Sequence, residues 1–507
     1  MTTDVSSPRI SSAEAERAVR NATAIAVATI LSKGILFGWQ LVLAPLLGVA
    51  SYGIYGTVLA LFTVGASIPN FGMGPIVIRD VARKPQDAGR YLTSALFTQT
   101  ILALIAYIAI NSAALSFGYS TTIRAFVAVA GISLLIDIFG NVCHDILIGQ
   151  ERMLATSTID IVHIVVRVGL AAFALFLGFG LMGVYIATII SGVGRALALW
   201  WMLLRGGVRP HWPIDRVILV PLIVNSAPLA LSAFLVQAYG QADKLMTTRF
   251  IGEVGTGNLT AAFVIIAGMI ELLSTTVLVA TFPMMSRAYG DGHNPLFGFM
   301  VEKMAFFTIV ISLPITLVLS LFAADITVPL FGEDFAQTAD VLRILVWYAM
   351  VTMVANVFAQ ALMVQNQQRR LLMIRATGLA VNITLNALLL PRIGVRGAAI
   401  ATVVAEMGVI VAMLSHFTAH GWDVRRLPPR LLRLTFVGGA TLITMILLGS
   451  VHPIVGILIA PFAYIAGGLL LGVLETDDWD LLYRLVAAMP GGTIVIRYWK
   501  RDLILSE

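Results

Sequence analysis

One apolar stretch of the chain carries ionisable side chains at a helical spacing. Thr156, Asp160, His163 and Arg167 stand at i, i+4, i+7 and i+11, so on a helix they form a single stripe. Ionisable groups within an apolar span are costly and mark substrate or ion paths. Because arginine pairs bidentately with phosphate oxygens, the stripe favours binding of an anionic headgroup such as a diphosphate. The alternative is internal pairing of Arg167 with Asp160 or His163.

Other apolar stretches carry polar side chains that share a helix face in the same way. We predict the following substrate-binding residues: Lys33, Arg167, Lys244, Gln40, Gln241 and His163. Groups that exchange protons are candidates for ion coupling, namely Asp160, Glu271, Asp137 and His144. The alternatives are a pair between Lys244 and Asp243 and, for Asn382, Asn386, Asn356 and Gln360, hydrogen bonds between helices.

No enzymatic motif accompanies these residues. A phosphate-binding glycine–lysine loop is absent from the sequence, so we expect no ATP hydrolysis. Neither His144–Asp145 nor Asp160–His163 has third and fourth ligands at metal-site spacing. We therefore expect no metal, no cofactor and no enzymatic activity. The single cysteine, Cys143, lies in an apolar stretch and is expected to serve packing.

The composition predicts the elements that position these residues. Of the 507 residues, 59% are hydrophobic and 12% are charged, whereas soluble domains carry about 25% charged residues. Apolar stretches long enough to cross a bilayer recur along the chain, and spans in lipid must satisfy their backbone internally. We predict an all-α integral membrane protein with about fourteen spans, near 21–45, 53–77, 91–116, 124–148, 155–178, 181–204, 217–240, 258–283, 304–330, 341–364, 371–391, 395–417, 434–451 and 454–474.

The distribution of positive charge predicts the orientation of these spans. With a cytoplasmic N-terminus, the inside segments hold 24 Lys and Arg residues and the outside loops hold only Arg124, Arg249, Arg392 and Arg396. Cytoplasmic loops are enriched in Lys and Arg, so both termini are expected in the cytoplasm. The polar start of the chain predicts no cleavable signal peptide.

Short motifs recur in order and indicate an internal repeat. The turn around Gly48 and Gly53 resembles that around Gly252 and Gly257, and the segment from Gly180 resembles that from Gly394. The repeat predicts two pseudo-symmetric six-helix lobes with a substrate path between them. We divide the chain into an N-terminal lobe (1–204), a cytoplasmic linker (205–216), a C-terminal lobe (217–420), two extra spans (421–474) and an amphipathic cytoplasmic tail (475–507).

Several of these segments resemble a known family. They are Leu46-Leu47-Gly48 followed by Tyr52-Gly53, Asn70-Phe71-Gly72, Gln241-Ala242-Asp243-Lys244, Thr281-Phe282-Pro283 and Leu390–Thr402. Their order and spacing resemble the polysaccharide flippases of the multidrug/oligosaccharidyl-lipid/polysaccharide exporter superfamily. The resemblance covers residues 21–420.

The resemblance implies a flippase that moves a polyprenyl-diphosphate-linked oligosaccharide to the outer leaflet by alternating access, for cell-surface polysaccharide biosynthesis. A cationic central cavity is also implied. A lipid II flippase or an ion-coupled drug antiporter of the same superfamily is the alternative, and a membrane glycosyltransferase or polysaccharide ligase is a remote one. The expected partners are the lipid-linked oligosaccharide, membrane lipids and polysaccharide polymerase or export machinery, without nucleic acid. The expected location is the cytoplasmic membrane.

Overall fold

The structure is a computed structural model that describes residues 12–290, 295–419, 427–475 and 478–479. All regular elements in these ranges are helical, as the composition predicts. Both chain termini, and the predicted tail apart from Glu475, Asp478 and Trp479, lie outside the described residues.

The helices follow one another with short connections. In chain order they are α1 Ser12–Asn70, α2 Met73–Arg83, α3 Ala88–Ser116, α4 Thr121–Gly149, α5 Met153–Phe176, α6 Gly180–Arg205, α7 Arg216–Phe250, α8 Glu253–Ile270, α9 Thr276–Tyr289, α10 Pro295–Leu321, α11 Ala323–Phe331, α12 Ala336–Val364, α13 Gln368–Ile393, α14 Val395–Ala419, α15 Leu427–Gly449 and α16 Pro453–Leu470. Two 3₁₀ turns, Pro85–Asp87 and Glu333–Phe335, and a π-helical segment, Glu271–Thr275, complete the described elements.

Thirteen helical segments of the described chain are long and apolar enough to span a membrane. Twelve of them correspond to one predicted span each, and the first, Thr29–Arg83, covers two predicted spans in 55 residues. A helix rises ~1.5 Å per residue and a bilayer core is ~30 Å thick, so this segment is much longer than one crossing requires. The multi-pass architecture is confirmed, and the count of fourteen stays a prediction.

The internal repeat is visible in the backbone of α1 and α8. Gly48 interrupts α1 with φ 73° and ψ 161°, and Gly252, at the equivalent place before α8, has φ 94°. A Cβ on Gly53 would lie 1.8 Å from the carbonyl oxygen of Glu253, and one on Gly257 would lie 2.0 Å from that of Val49. Gly53 and Gly257 are equivalent in the repeat, and so are Val49 and Glu253. Each glycine contacts the carbonyl from the other copy of the repeat, which is the geometry of a local two-fold axis.

The described residues fall into two compact units. The first comprises the described parts of Met1–Gly268, Thr327–Val341 and Leu372–Ala405, and the second those of Met269–Ile326, Leu342–Leu371 and Glu406–Glu507. Tyr52 and Phe335 are fully buried in the core of the first unit. In the second unit the Tyr464 hydroxyl of α16 donates to the Val310 carbonyl of α10, 2.9 Å away. The predicted division into lobes at 204 and 217 stays a prediction.

Candidate functional site

A cavity of about 270 Å³ lies within the first unit, among α1, α4, α5 and α6. We call it the first-unit cavity. Its wall combines aromatic, polar and charged side chains and consists of Leu36, Trp39, Gln40, Tyr55, Val58, Leu59, Phe62, Ala130, Ser133, Asp137, Arg167, Ala171, Val184, Tyr185 and Thr188. Three of the predicted site residues, Gln40, Asp137 and Arg167, are thus brought to one wall.

Arg167 is the cation that lines this cavity. It is half-buried on α5, and no described carboxylate forms an ion pair with it, since Asp160 of the same helix is bound by Arg195. A guanidinium group carries five donors and stays charged at all physiological pH values. Arg167 is therefore available to an anionic ligand that enters the cavity.

Beside the cavity, α4, α5 and α6 share a polar network. Arg195 donates from Nε to Asp160 Oδ1 over 2.7 Å and from Nη1 to Asn141 Oδ1 over 3.0 Å. The second Asp160 oxygen lies 3.1 Å from Nε2 of His144. Gly140 makes room for the guanidinium, because a Cβ at that position would lie 3.0 Å from Arg195 Nη1.

Arg195 is at the centre of this network, and the candidate residues predicted from the sequence do not include it. Its position well inside the predicted span 181–204 was the available signal, because a cation at that depth needs a counter-ion. The network also places two predicted ion-coupling residues, Asp160 and His144, in direct contact. His163 lies one turn before Arg167, and its Nε2 is buried without a hydrogen-bond partner among the described residues.

A second buried polar cluster joins α7 to α13. Asp243 is 2% exposed, and its Oδ1 accepts from Asn382 Nδ2 over 2.9 Å and from Asn386 Nδ2 over 2.7 Å. The interpretation of both asparagines as links between helices is confirmed. The Lys244 ammonium instead donates to Gln241 Oε1 over 3.1 Å, and neither of these two predicted site residues lines the first-unit cavity.

The remaining predicted residues lie apart from that wall. Lys33 is exposed and precedes Gln40 by seven residues, so it shares the helix face of Gln40 two turns away. Glu271 opens the π-helical segment in the second unit. Gln360, also in the second unit, donates from Nε2 to the Leu278 carbonyl over 2.9 Å, which confirms a link between helices.

The wall chemistry of the first-unit cavity suits a headgroup with both charge and hydroxyl groups. Arg167 offers fork-like donors to phosphate oxygens, and Gln40 with Tyr55 and Tyr185 offers polar groups beside aromatic faces. Within the part of the chain that the structure describes, no group of three or more His, Cys, Asp or Glu residues is arranged to hold a metal.

A second cavity adjoins the first within the same unit. It has a volume of about 630 Å³ between the second half of α1 and α7, and its wall includes Asn70, Ser232 and Gln237. Leu59 and Phe62 line both cavities. These two apolar side chains therefore face both a charged cavity and a larger, uncharged one.

Two family models match the chain. The one described as "Polysaccharide biosynthesis protein" matches residues 42–340, which is more than half of the chain, and the one described as "Lipid II flippase MurJ" matches residues 223–472. A curated relative, the uncharacterized membrane protein MJ1068 of Methanocaldococcus jannaschii, is 24% identical over 164 residues. That match covers 32% of each protein, so the chain spans about a third of the length of this relative.

Several solved structures share the fold. A lipid II flippase MurJ in an inward closed conformation superposes with a TM-score of 0.73 at 12% identity, over 91% of this chain and 99% of the other. An inward-facing multidrug resistance MATE family transporter gives 0.59 at 19% identity, over 76% and 96%. A MOP superfamily transporter from Pyrococcus furiosus, whose binding pocket has reversed polarity, gives 0.52 at 20% identity, over 78% and 94%.

Proposed function

The chain belongs to the family of polysaccharide biosynthesis proteins, and on that premise we propose that it is a flippase for a polyprenyl-diphosphate-linked oligosaccharide. It carries this lipid from the cytoplasmic to the outer leaflet by alternating access. The multi-pass, MurJ-like fold of a MOP superfamily transporter supports this class of activity. Translocation breaks no covalent bond of the substrate, so the protein is a transporter and not an enzyme.

The observation that carries the proposal is the position of Arg167 on the wall of the first-unit cavity. Arg167 has no ion pair with a described residue, so its charge is directed to whatever occupies the cavity. Desolvated cations within a span are costly unless they serve a ligand or a counter-ion. A diphosphate supplies two phosphoryl groups that a guanidinium binds in the bidentate manner.

The size of the cavity indicates which part of the substrate it takes. Ligand sites of ~300–1,000 Å³ bury most of a drug-sized molecule, so a cavity of about 270 Å³ accommodates the diphosphate and one adjoining sugar. The adjoining chamber of about 630 Å³ gives room for further sugars. The polyprenyl tail remains in the lipid, because its apolar surface is already solvated there and does not require a binding site in the protein.

A lipid II flippase is the second candidate, and two observations favour it. The MurJ model matches residues 223–472, including α15 and α16, and the MurJ structure covers 91% of the chain. Lipid II is itself a polyprenyl diphosphate with a sugar headgroup, so the same role of Arg167 serves both candidates. The MATE transporter structure covers only 76% of the chain, which makes drug antiport the weaker alternative.

Reconstituted proteoliposomes distinguish these candidates. Fluorescent polyprenyl diphosphates carrying either an oligosaccharide or the lipid II headgroup are placed in the vesicles, and outward movement is measured by loss of fluorescence to an external quencher. We expect movement with the wild type and at least tenfold slower movement with Arg167→Gln. Arg124→Gln, in the first turn of α4 and lining neither cavity, is the matched control and is expected to transport normally.

Each result has a defined meaning. Movement of the oligosaccharide lipid alone supports the proposal, and movement of lipid II alone replaces it with the second candidate. Drug exchange without movement of either lipid contradicts both candidates. Equal rates for Arg167→Gln and the wild type remove Arg167 from the mechanism.

The proposal includes a location and an orientation. We place the protein in the cytoplasmic membrane with both termini in the cytoplasm, on the basis of the positive-inside distribution of Lys and Arg. In this orientation the connection between α2 and α3, with Arg83 and Lys84, faces the cytoplasm. The substrate is made on that side, and polymerase or export machinery acts on the other.

A further inference from the structure

We propose that Asp137 is the release residue of the transport cycle, because it competes with the substrate diphosphate for the charge of Arg167. This inference rests on the proposed flippase function and assigns a role to a residue that repels, rather than attracts, the headgroup. The role explains why a carboxylate stands on the wall of a cavity that has to accept an anion.

The first support is the position of Asp137. It extends from α4 into the first-unit cavity that Arg167 lines from α5. Gly192 of α6 leaves space beside it, since a Cβ there would lie 3.7 Å from Asp137 Oδ1. The carboxylate and the Arg167 guanidinium therefore face the same cavity.

The second support is that Asp137 has no fixed partner. Within the described chain it forms no direct ion pair, and Arg167 is the cation that lines the same cavity. Arg195 is held by Asp160 over 2.7 Å and by Asn141 over 3.0 Å. Arg167 is thus the cation that remains free to respond to Asp137.

The physical consequence is an exchange of counter-ions. In the empty cavity Asp137 lowers the cost of holding Arg167 away from water. When a diphosphate binds Arg167, the same carboxylate faces phosphate oxygens of like charge and weakens their binding. A transporter that bound its substrate too tightly would not release it, so this repulsion favours turnover.

The magnitude is large enough to measure. Two unit charges ~8 Å apart at an effective dielectric constant of ~20 interact strongly enough to change an equilibrium constant roughly thirtyfold. We expect Asp137→Asn to bind undecaprenyl diphosphate at least tenfold more tightly than the wild type and to transport it more slowly. Asp137→Glu, which restores the charge, is expected to return the affinity to within threefold of the wild type.

The test measures the affinity of the purified protein in detergent for undecaprenyl diphosphate, together with transport in proteoliposomes. Asp145→Asn is the matched control, since Asp145 lies on the same helix but lines neither cavity, and its affinity is expected to equal that of the wild type. Asp137→Ser provides a second neutral variant if the Asn variant does not fold. In an Arg167→Gln background, Asp137→Asn is expected to tighten binding less than it does beside Arg167, because only the direct repulsion of the phosphate oxygens then remains.

Failure of the inference is distinguishable from failure of the proposed function. If the wild type binds undecaprenyl diphosphate but the neutral Asp137 variants bind it equally or more weakly, the release role is wrong. An effect of Asp137→Asn that is undiminished in the Arg167→Gln background also overturns it. If the wild type neither binds nor moves the lipid, the proposed function is wrong.

Discussion

Removing the charge of Asp160 tests whether the polar network of α4, α5 and α6 depends on an ion pair. Asp160→Asn keeps an oxygen that accepts from Arg195 Nε, now 2.7 Å from the carboxylate, but removes the negative charge. The Arg195 side chain is 13% exposed and that of Asp160 is 29% exposed. The substitution therefore leaves a largely buried cation without its counter-ion.

The expected cost follows from the charges and their burial. Two unit charges ~4 Å apart at a dielectric constant of ~20 interact by ~4 kcal/mol, and breaking a buried pair from one side costs about 3–5 kcal/mol. Because Asp160 is partly exposed, we expect the free energy of unfolding to fall by about 3 kcal/mol. Because Tm shifts by roughly 2 °C or less per kcal/mol in units larger than about 250 residues, we expect a fall in Tm of about 4–6 °C.

The assay is thermal unfolding of the purified protein in detergent, with two comparison variants. Asp145→Asn is expected to lower Tm far less, because Asp145 only approaches His144 at 3.7 Å. The double variant Asp160→Asn with Arg195→Gln is expected to recover most of the loss, since neither charge is then left unpaired. A Tm of Asp160→Asn equal to that of Asp145→Asn, or a double variant less stable than Asp160→Asn, would refute the reasoning.

Three further predictions address packing, the second polar cluster and topology. Gly257→Ala is expected to lower the free energy of unfolding by about 1–3 kcal/mol, because the new Cβ meets a backbone carbonyl at 2.0 Å; thermal unfolding measures this. Asn386→Ala is expected to cost about 1.5–3 kcal/mol in the same assay, because Asp243 loses a donor at 2.7 Å. A cysteine at Thr122 is expected to react with an external membrane-impermeant maleimide in intact cells, whereas one at Gln86 is expected to react only after permeabilisation.

These predictions have internal controls. Gly240→Ala adds a Cβ that meets nothing within 4 Å, so the packing argument fails if it destabilises as much as Gly257→Ala. Asn111→Ala removes an amide that donates only within its own helix, to Tyr107 over 2.8 Å, and should cost less than Asn386→Ala. The native Cys143 is fully buried and should not react, so equal labelling of both introduced cysteines would contradict the topology.

The positions of the spans were predictable because lipid imposes a local rule. Every span needs ~20 apolar residues and a backbone whose hydrogen bonds are made within the span. Both requirements concern consecutive residues, so they can be recognised in the sequence. The predicted span 155–178, for example, corresponds to α5 at Met153–Phe176. The first two predicted spans fall on either side of Gly48, where non-helical φ/ψ angles interrupt α1.

The candidate site was predictable only in part. Helix periodicity placed Asp160, His163 and Arg167 on one stripe, and Arg167 does line a cavity. Periodicity describes one helix at a time, so it could not show that Asp160 is bound by an arginine 35 positions later in the chain.

The sequence by itself determined the class of the molecule, the approximate spans and the polar residue types that the spans contain. These features are visible in the sequence because burial in lipid, helical spacing and an internal repeat each produce patterns among neighbouring or regularly spaced residues. Only the tertiary structure decided which charges are paired and which remain available. Asp243 bonds to Asn382 and Asn386 instead of Lys244, and Asp160 bonds to Arg195 instead of Arg167. These choices depend on how helices distant in sequence pack, and that packing leaves Arg167 facing a cavity.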